Sequence, residues 1–148
     1  MLPPKSPTFA LDENFPQPIL REAIAKYVLG IDLVPLVDVD PKLLGAYQDD
    51  ELVAELATLG IQGLVTCDDN MIFRSEVLDA IERTRFSVVT CRRVGDDRVR
   101  ALGRLLIHLP DVAKRYSPKR AQIWRLGTVE SQPLDFADHA KRVRGRAR

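Results

Sequence analysis

The chain has 148 residues, 45% hydrophobic and 29% charged, which suits one globular domain with its own core and excludes a disordered chain. No apolar run approaches the ~18 residues that span a bilayer, which argues against an integral membrane protein. The net charge of +1 conceals an asymmetry. Residues 1–70 carry 4 basic and 12 acidic side chains, net −8, and residues 71–148 carry 18 basic and 9 acidic, net +9. Such halves either neutralise each other across one surface or serve a cation in one place and a polyanion in another. The Pro-rich lead over residues 1–7 has no apolar h-region, so no secretory signal is predicted. Cys67 and Cys91 form neither a metal pattern nor a disulfide framework, and a cytoplasmic location is expected.

In chain order, Thr8–Leu11 is short and apolar and predicts a first strand. Pro16 and Pro18 open a run in which Ile19, Leu20, Ala23, Ile24, Tyr27 and Val28 recur at helical spacing, with Gly30 as its stop. Ile31–Val37 is β-branched and predicts a second strand, which Pro35 loosens or places at an edge. A loop with one helical turn after Pro41 leads to a helix opened by Asp49, Asp50 and Glu51. Its face carries Leu52, Val53, Leu56 and Leu59, and Gly60 ends it.

Gln62–Thr66 predicts the third strand, closed by Cys67-Asp68-Asp69-Asn70. Ser75 is the expected N-cap of a helix to about Arg83. Phe86–Cys91 predicts the fourth strand. Asp96–His108 predicts a helix with Val99, Leu102, Leu105 and Leu106 inward, and Pro110–Tyr116 a short helix after it. Ala121–Leu126 predicts the fifth strand. After Gly127 the pattern fades into a basic tail, residues 128–148, whose last ten positions hold five basic residues and no acid. Alternating strands and helices of this length predict an α/β fold with a mainly parallel sheet over residues 8–127.

In open parallel sheets, sites form beyond the carboxyl ends of the strands. Acids gather there in this chain: Asp12-Glu13 after strand one, Asp49-Asp50-Glu51 at the helix after strand two, and Asp68-Asp69 after strand three. Each cluster alone also suits a turn or a helix cap. Together they would crowd like charge on one rim and raise carboxylate pKa values unless a cation compensates. An oxygen-only donor set with no Cys/His group of zinc spacing suits Mg²⁺ or Mn²⁺. Such an ion orients a water and offsets charge on a phosphodiester.

Three segments carry a resemblance. Asp12-Glu13-Asn14-Phe15-Pro16 resembles the D-E-N-x-P start of the small PIN-like domains of toxin–antitoxin modules. Gln48-Asp49-Asp50-Glu51-Leu52-Val53 is similar to that group's acidic helix opening, and Val65-Thr66-Cys67-Asp68-Asp69-Asn70 to its T-x-D-x-D strand end. The match spans roughly residues 8–126, with the motifs in the family's order. The resemblance implies a three-layer α/β/α sandwich around a five-stranded sheet and a metal-dependent ribonuclease of the VapC toxin type. It also implies an RNA substrate, a cognate antitoxin and a homodimer.

Carried over by position, Asp12, Asp49 and Asp68 are the catalytic and metal-binding carboxylates, with Asp50, Asp69 and Asn70 as secondary ligands. Asn70 departs from the pattern, since an acid is common there. Strand four ends in Thr90 and Cys91 rather than an acid, leaving Asp96 and Asp97 as late candidates.

Arg92, Arg93 and Arg74 flank the same rim and are the expected RNA-phosphate contacts, or else solvated surface arginines. The basic tail binds RNA non-specifically or simply stays in solvent. His108 and His139 lie far from the acids and are assigned no chemistry. Trp124, Tyr116 and Cys67 are read as packing residues. Two other functions fit the pattern. One is a catalytically degenerate PIN-like module that binds RNA or protein, which Asn70 favours. The other is a phosphoacceptor receiver built on Asp12, Glu13, Asp68, Thr90 and Lys119. In the receiver arrangement, however, the lysine follows the fifth strand, whereas Lys119 precedes it.

Overall fold

Five strands form one sheet in which every pairing is parallel: β1 (Thr8–Leu11), β2 (Asp32–Pro35), β3 (Gly63–Thr66), β4 (Ser87–Cys91) and β5 (Gln122–Leu126). Their spatial order is β2-β1-β3-β4-β5. This computed structural model describes residues 6–12, 22–23, 25–45, 47–92, 94, 97–127 and 135–146. Parallel neighbours need crossover connections, and the chain supplies them as helices. Between β2 and β5 these are α1 (Leu36–Val39), α2 (Asp49–Thr58), α3 (Ser75–Thr84) and α4 (Arg98–Arg115); a final α5 (Phe136–Arg146) follows β5. Two 3₁₀ turns, Pro41–Leu43 and Asp69–Phe73, complete the described elements.

The period-2 alternation of each strand divides the core in two. Phe9, Leu11, Val65, Val89, Cys91 and Leu126 face one side, where Ala101, Leu105, Leu109 and Val112 of α4 cover them. Ala10, Leu64 and Val88 face the other side, against Val53 and Leu56 of α2 and Val77, Ala80 and Ile81 of α3. Burial on both faces explains why the strands are nearly unbroken apolar runs. The result is a three-layer α/β/α sandwich with an all-parallel sheet of five strands, as expected. Among the described residues no helix is long and apolar enough to cross a membrane.

Several boundaries differ from expectation. The predicted second strand stops at Pro35, and Leu36–Val39 turns helical instead. Proline removes a ladder donor and its φ of −55° is ready for a helix start, so the edge strand ends there. Ser75 is the first helical residue of α3 rather than its cap; Arg74 precedes the helix and makes no side-chain capping bond. The two helices expected around Pro110 are one continuous α4. Asp97 caps it, its carboxylate accepting from the Arg100 amide at 3.0 Å. Val99, expected inward, is exposed, because the buried stripe runs through Ala101, Leu105, Leu109 and Val112.

Within the predicted tail, residues 136–146 form α5, which buries no side chain. Alanine, lysine and arginine are strong helix formers, and that preference does not register in a search for apolar periodicity. Of the predicted first helix, residues 22–23 and 25–27 are helical, and most of the remainder lies outside the described residues, as does most of the N-terminal lead.

One close approach sets the spacing of the central strands. Gly63 of β3 pairs with Phe9 of β1, and a Cβ at Gly63 would stand 2.8 Å from the Phe9 ring. That ring is fully buried and cannot swing away. Gly63→Ala is therefore expected to destabilise the fold by about 1–3 kcal/mol through overpacking. The loss would appear as a lower urea midpoint, with Gly103→Ala, where an added Cβ meets nothing within 4 Å, as the control.

Candidate functional site

The strand order reverses at β1. The chain steps from β1 outward to β2, then returns past β1 to β3 and continues to β4 and β5. A crevice at the carboxyl ends of β1 and β3 follows from that switch, and such crevices are where open α/β sheets bind ligands. A cavity of about 150 Å³ lies there, lined by Asp12, Asp49 and Asp68 together with Thr66 and a floor that includes Leu36 and Met71. The three aspartates singled out in the sequence thus come from three separate segments to one cavity.

Local structure explains each placement. The Asp12 amide donates to the Val65 carbonyl at 3.0 Å, which carries the β1–β3 ladder one residue past the strand. The Thr66 hydroxyl donates to Asp12 Oδ2 at 2.8 Å and accepts from the Asp68 amide at 3.0 Å. Asp68 Oδ1 accepts from the Asn70 amide at 3.0 Å, an Asx turn that opens the 3₁₀ segment. Asp49 stands in the first turn of α2, but Gln48 occupies the capping position. Its carboxylate instead accepts from Arg74 Nη1 at 3.0 Å. Arg74 also bridges to Glu76 at 3.1 Å.

The electrostatics follow from this crowding. Burial first, then the Asp68 charge, raises the Asp49 pKa; Arg74 opposes the rise, and Asp12 adds to it. Asp49 therefore feels both other aspartates. Cysteine chemistry is disfavoured at the same rim. Burial pushes the Cys67 thiol up to about 11 and the Cys91 thiol up to about 12, so neither supplies a thiolate near neutral pH.

The secondary candidates separate from this set. Asp50 follows Asp49 on α2 but does not line the cavity. Asn70 contributes its backbone amide to the Asp68 turn. Asp69 is turned to the scaffold: it accepts from Arg125 Nε at 2.8 and 2.9 Å, pairs with Arg125 Nη2, and accepts from Thr90 Oγ1 at 2.8 Å. The Arg125 hydrogen bond is the main cause holding its pKa below the ordinary value. Arg92 lies near enough to Asp69 to contribute to that lowering. Arg74, expected to meet phosphate, is paired with Asp49 and Glu76. Arg93, Glu13 and Asp96 lie outside the described residues. Lys119 sits in the turn before β5, at the opposite end of that strand from the aspartates, so the receiver arrangement has no lysine at the rim.

The sequence reading gave Arg125 no role, and it met Thr66 only inside the T-x-D-x-D segment and Thr90 only as the end of strand four and a member of the receiver alternative. Thr66, Thr90 and Arg125 are in register across β3, β4 and β5. Each stands two positions after an apolar residue on the same face, Leu64, Val88 and Ile123. The visible signal was a polar residue where period-2 alternation calls for an apolar one.

A wider groove of about 580 Å³ at the other end of β5 is lined by Lys114, Arg115, Arg120 and Trp124 among others, but contains no carboxylate. It lies away from the aspartates and is not part of this site.

No family model, no curated protein and no solved structure matches the chain. The donor chemistry of the cavity, three carboxylates and a hydroxyl, fits a hard divalent cation. Among the described residues no three His, Cys, Asp or Glu side chains stand close enough together to hold an ion as a group.

The coupling of the carboxylates is testable without any metal. Asp68→Asn removes a negative neighbour and is expected to lower the Asp49 pKa, whereas Arg74→Ala removes the compensating cation and is expected to raise it further. Carboxyl-carbon NMR titration of both variants reads the two opposite shifts; an Asp49 pKa unmoved by either substitution would refute the shared cavity.

Proposed function

We propose that the chain is a divalent-metal-dependent endoribonuclease of the PIN-like, VapC toxin kind. The observation that carries this reading is the convergence of Asp12, Asp49 and Asp68, from three segments, on one cavity at the switch in strand order. The three short motifs and their order support it further. In the proposed enzyme one or two of Asp12, Asp49 and Asp68 would hold Mg²⁺ or Mn²⁺ directly, and the ion's own waters would meet the remaining carboxylate. The bound ion supplies charge compensation at a phosphodiester and a water of lowered pKa. Thr66 fixes the orientation of the Asp12 carboxylate, and Arg74 restrains Asp49. Arg92, near Asp69, and Arg93, next to it in sequence, are the proposed phosphate contacts. An antitoxin and a second copy of the chain are the proposed protein partners, and the cytoplasm the proposed location.

A second reading, a PIN-like module that binds RNA without cutting it, is favoured by one observation: the carboxylates are not gathered into a ligand cluster among the described residues. Asn70 in place of an acid points the same way.

A cleavage assay on total RNA separates the two. The wild type is expected to cut in Mn²⁺ and to be silent in EDTA. Asp12→Asn should lose cleavage by at least about a hundredfold while retaining its circular-dichroism spectrum, because it removes one negative charge from the ion site at constant size. Equal cutting in EDTA and Mn²⁺ would reject the metal mechanism. Binding without cutting under any metal would establish the second reading.

A further inference from the structure

Phe73 is unusual for a large aromatic residue beside a candidate site. It is 64% exposed, yet its ring is held in place. The Arg125 guanidinium lies over it, 5.0 Å from the ring centroid. Arg125 is itself oriented by Asp69, which accepts from its Nε at 2.8 and 2.9 Å. Asp69 in turn accepts from Thr90 Oγ1 at 2.8 Å, and Thr90 is fully buried in the sheet. A chain of directed contacts thus runs from β4 through Asp69 and Arg125 to an aromatic ring at the surface.

Phe73 is also tied to the aspartate cavity through the chain, two residues after Met71 of its lining and one before Arg74. It closes the 3₁₀ turn Asp69–Phe73, which begins directly after Asp68 and whose Met71 lines the cavity. The next residue, Arg74, reaches Asp49 at 3.0 Å. Phe73 is therefore bracketed in the chain by contacts to two of the three carboxylates.

We propose that Phe73, backed by Arg125, is a stacking platform for one unpaired base of single-stranded RNA entering the aspartate cavity. The ligand class rests on the ribonuclease reading; the placement of the platform rests on the geometry. Bases stack on aromatic rings irrespective of sequence, and an arginine plane on one side of the ring strengthens the platform. A duplex has its bases already stacked, so a single ring at a rim takes only an unpaired base. Arg92, close enough to Asp69 to lower its pKa, adds a positive charge on the Asp69 side of the platform. The carboxylates repel a polyanion, and an uncharged stacking contact beside them supplies attraction that does not depend on charge. Asp69 and Thr90 act as positioning residues for Arg125.

The test is fluorescence anisotropy of a short labelled single-stranded RNA, in EDTA, with Phe73→Ala, Phe73→Leu and Phe73→Trp. Loss of one base stack is expected to weaken binding roughly tenfold in the Ala and Leu variants, and Phe73→Trp should retain it. Leucine keeps apolar bulk without a ring, so a purely structural role for Phe73 would leave that variant unchanged. Asp69→Asn, which frees Arg125, should weaken binding severalfold. A duplex of the same sequence should be insensitive to all four changes.

Wild-type affinity in Phe73→Ala or Phe73→Leu overturns the inference, and if the protein still cuts RNA in Mn²⁺ it leaves the ribonuclease reading standing. The expected losses in a protein that never cuts overturn that reading and support the platform. No RNA binding by the wild type overturns the platform outright. A shift in oligomeric state in Phe73→Ala with unchanged RNA affinity would assign the ring to a contact between copies, and also overturns it.

Discussion

The pairing of β1 with β3 is the constraint on which the site depends. The ladder does not stop with the strands: the Asp12 amide still donates to Val65, so the residue after β1 is held in sheet register. Thr66, the last residue of β3, then binds Asp12 through its hydroxyl hydrogen and Asp68 through its hydroxyl oxygen. One buried hydroxyl thereby couples the ends of two strands that are far apart in sequence. Both of its bonds are partly buried, which makes the arrangement costly to disturb. The close contact of Phe9 with Gly63 sets how near these two strands lie, and therefore how near the two aspartates come.

Two aspartates of this end of the sheet have pKa values shifted in opposite directions. Asp49 has a raised pKa, with burial as the main cause. Its folded form binds a proton more readily than the unfolded chain does, so its contribution to stability falls as pH rises through the window just above the ordinary carboxylate value. Asp69 has a lowered pKa, mainly from its bond with Arg125. Its contribution is present above the unfolded value and is lost as pH falls through the folded one. Asp69 therefore stabilises the rim at neutral pH, whereas ionised Asp49 weighs on it.

Much of this was legible in the sequence because the two periodicities are clean. Strands such as Gly63–Thr66 and Ser87–Cys91 are bounded by turn residues, and α2 announces itself by three acids and an apolar face. The placement of Asp12, Asp49 and Asp68 on one rim followed from their positions after strands. What stayed hidden depended on tertiary partners. That Asp69 serves the scaffold while Asp68 serves the cavity rests on Arg125, 56 residues away. Adjacent carboxylates look alike in a sequence, and only the strand opposite each one distinguishes them. Pro110 looked like a break because its missing amide is a local defect. The buried stripe of α4, continuing from Leu105 to Leu109 and Val112, outweighs it.

The in-register row of Thr66, Thr90 and Arg125 shows how such a site is built on a sheet that is otherwise apolar. On the α2/α3 face each strand runs apolar to its end and then turns polar at the same level. Thr66 serves Asp12 and Asp68; Thr90 and Arg125 serve Asp69, and through Arg125 the row reaches Phe73. Three residues at one level of the sheet thus hold Asp12 and Asp68 at the carboxylate cavity and, through Asp69 and Arg125, the Phe73 ring. Local rules are broken where a site requires it, and the break is regular enough to be found: a polar residue at the carboxyl end of each of three adjacent parallel strands, all in one alternation phase. Because every member is anchored in the ladder, a change at one level of register would displace the aspartates and the platform together, which ties recognition and the proposed chemistry to the same backbone constraint.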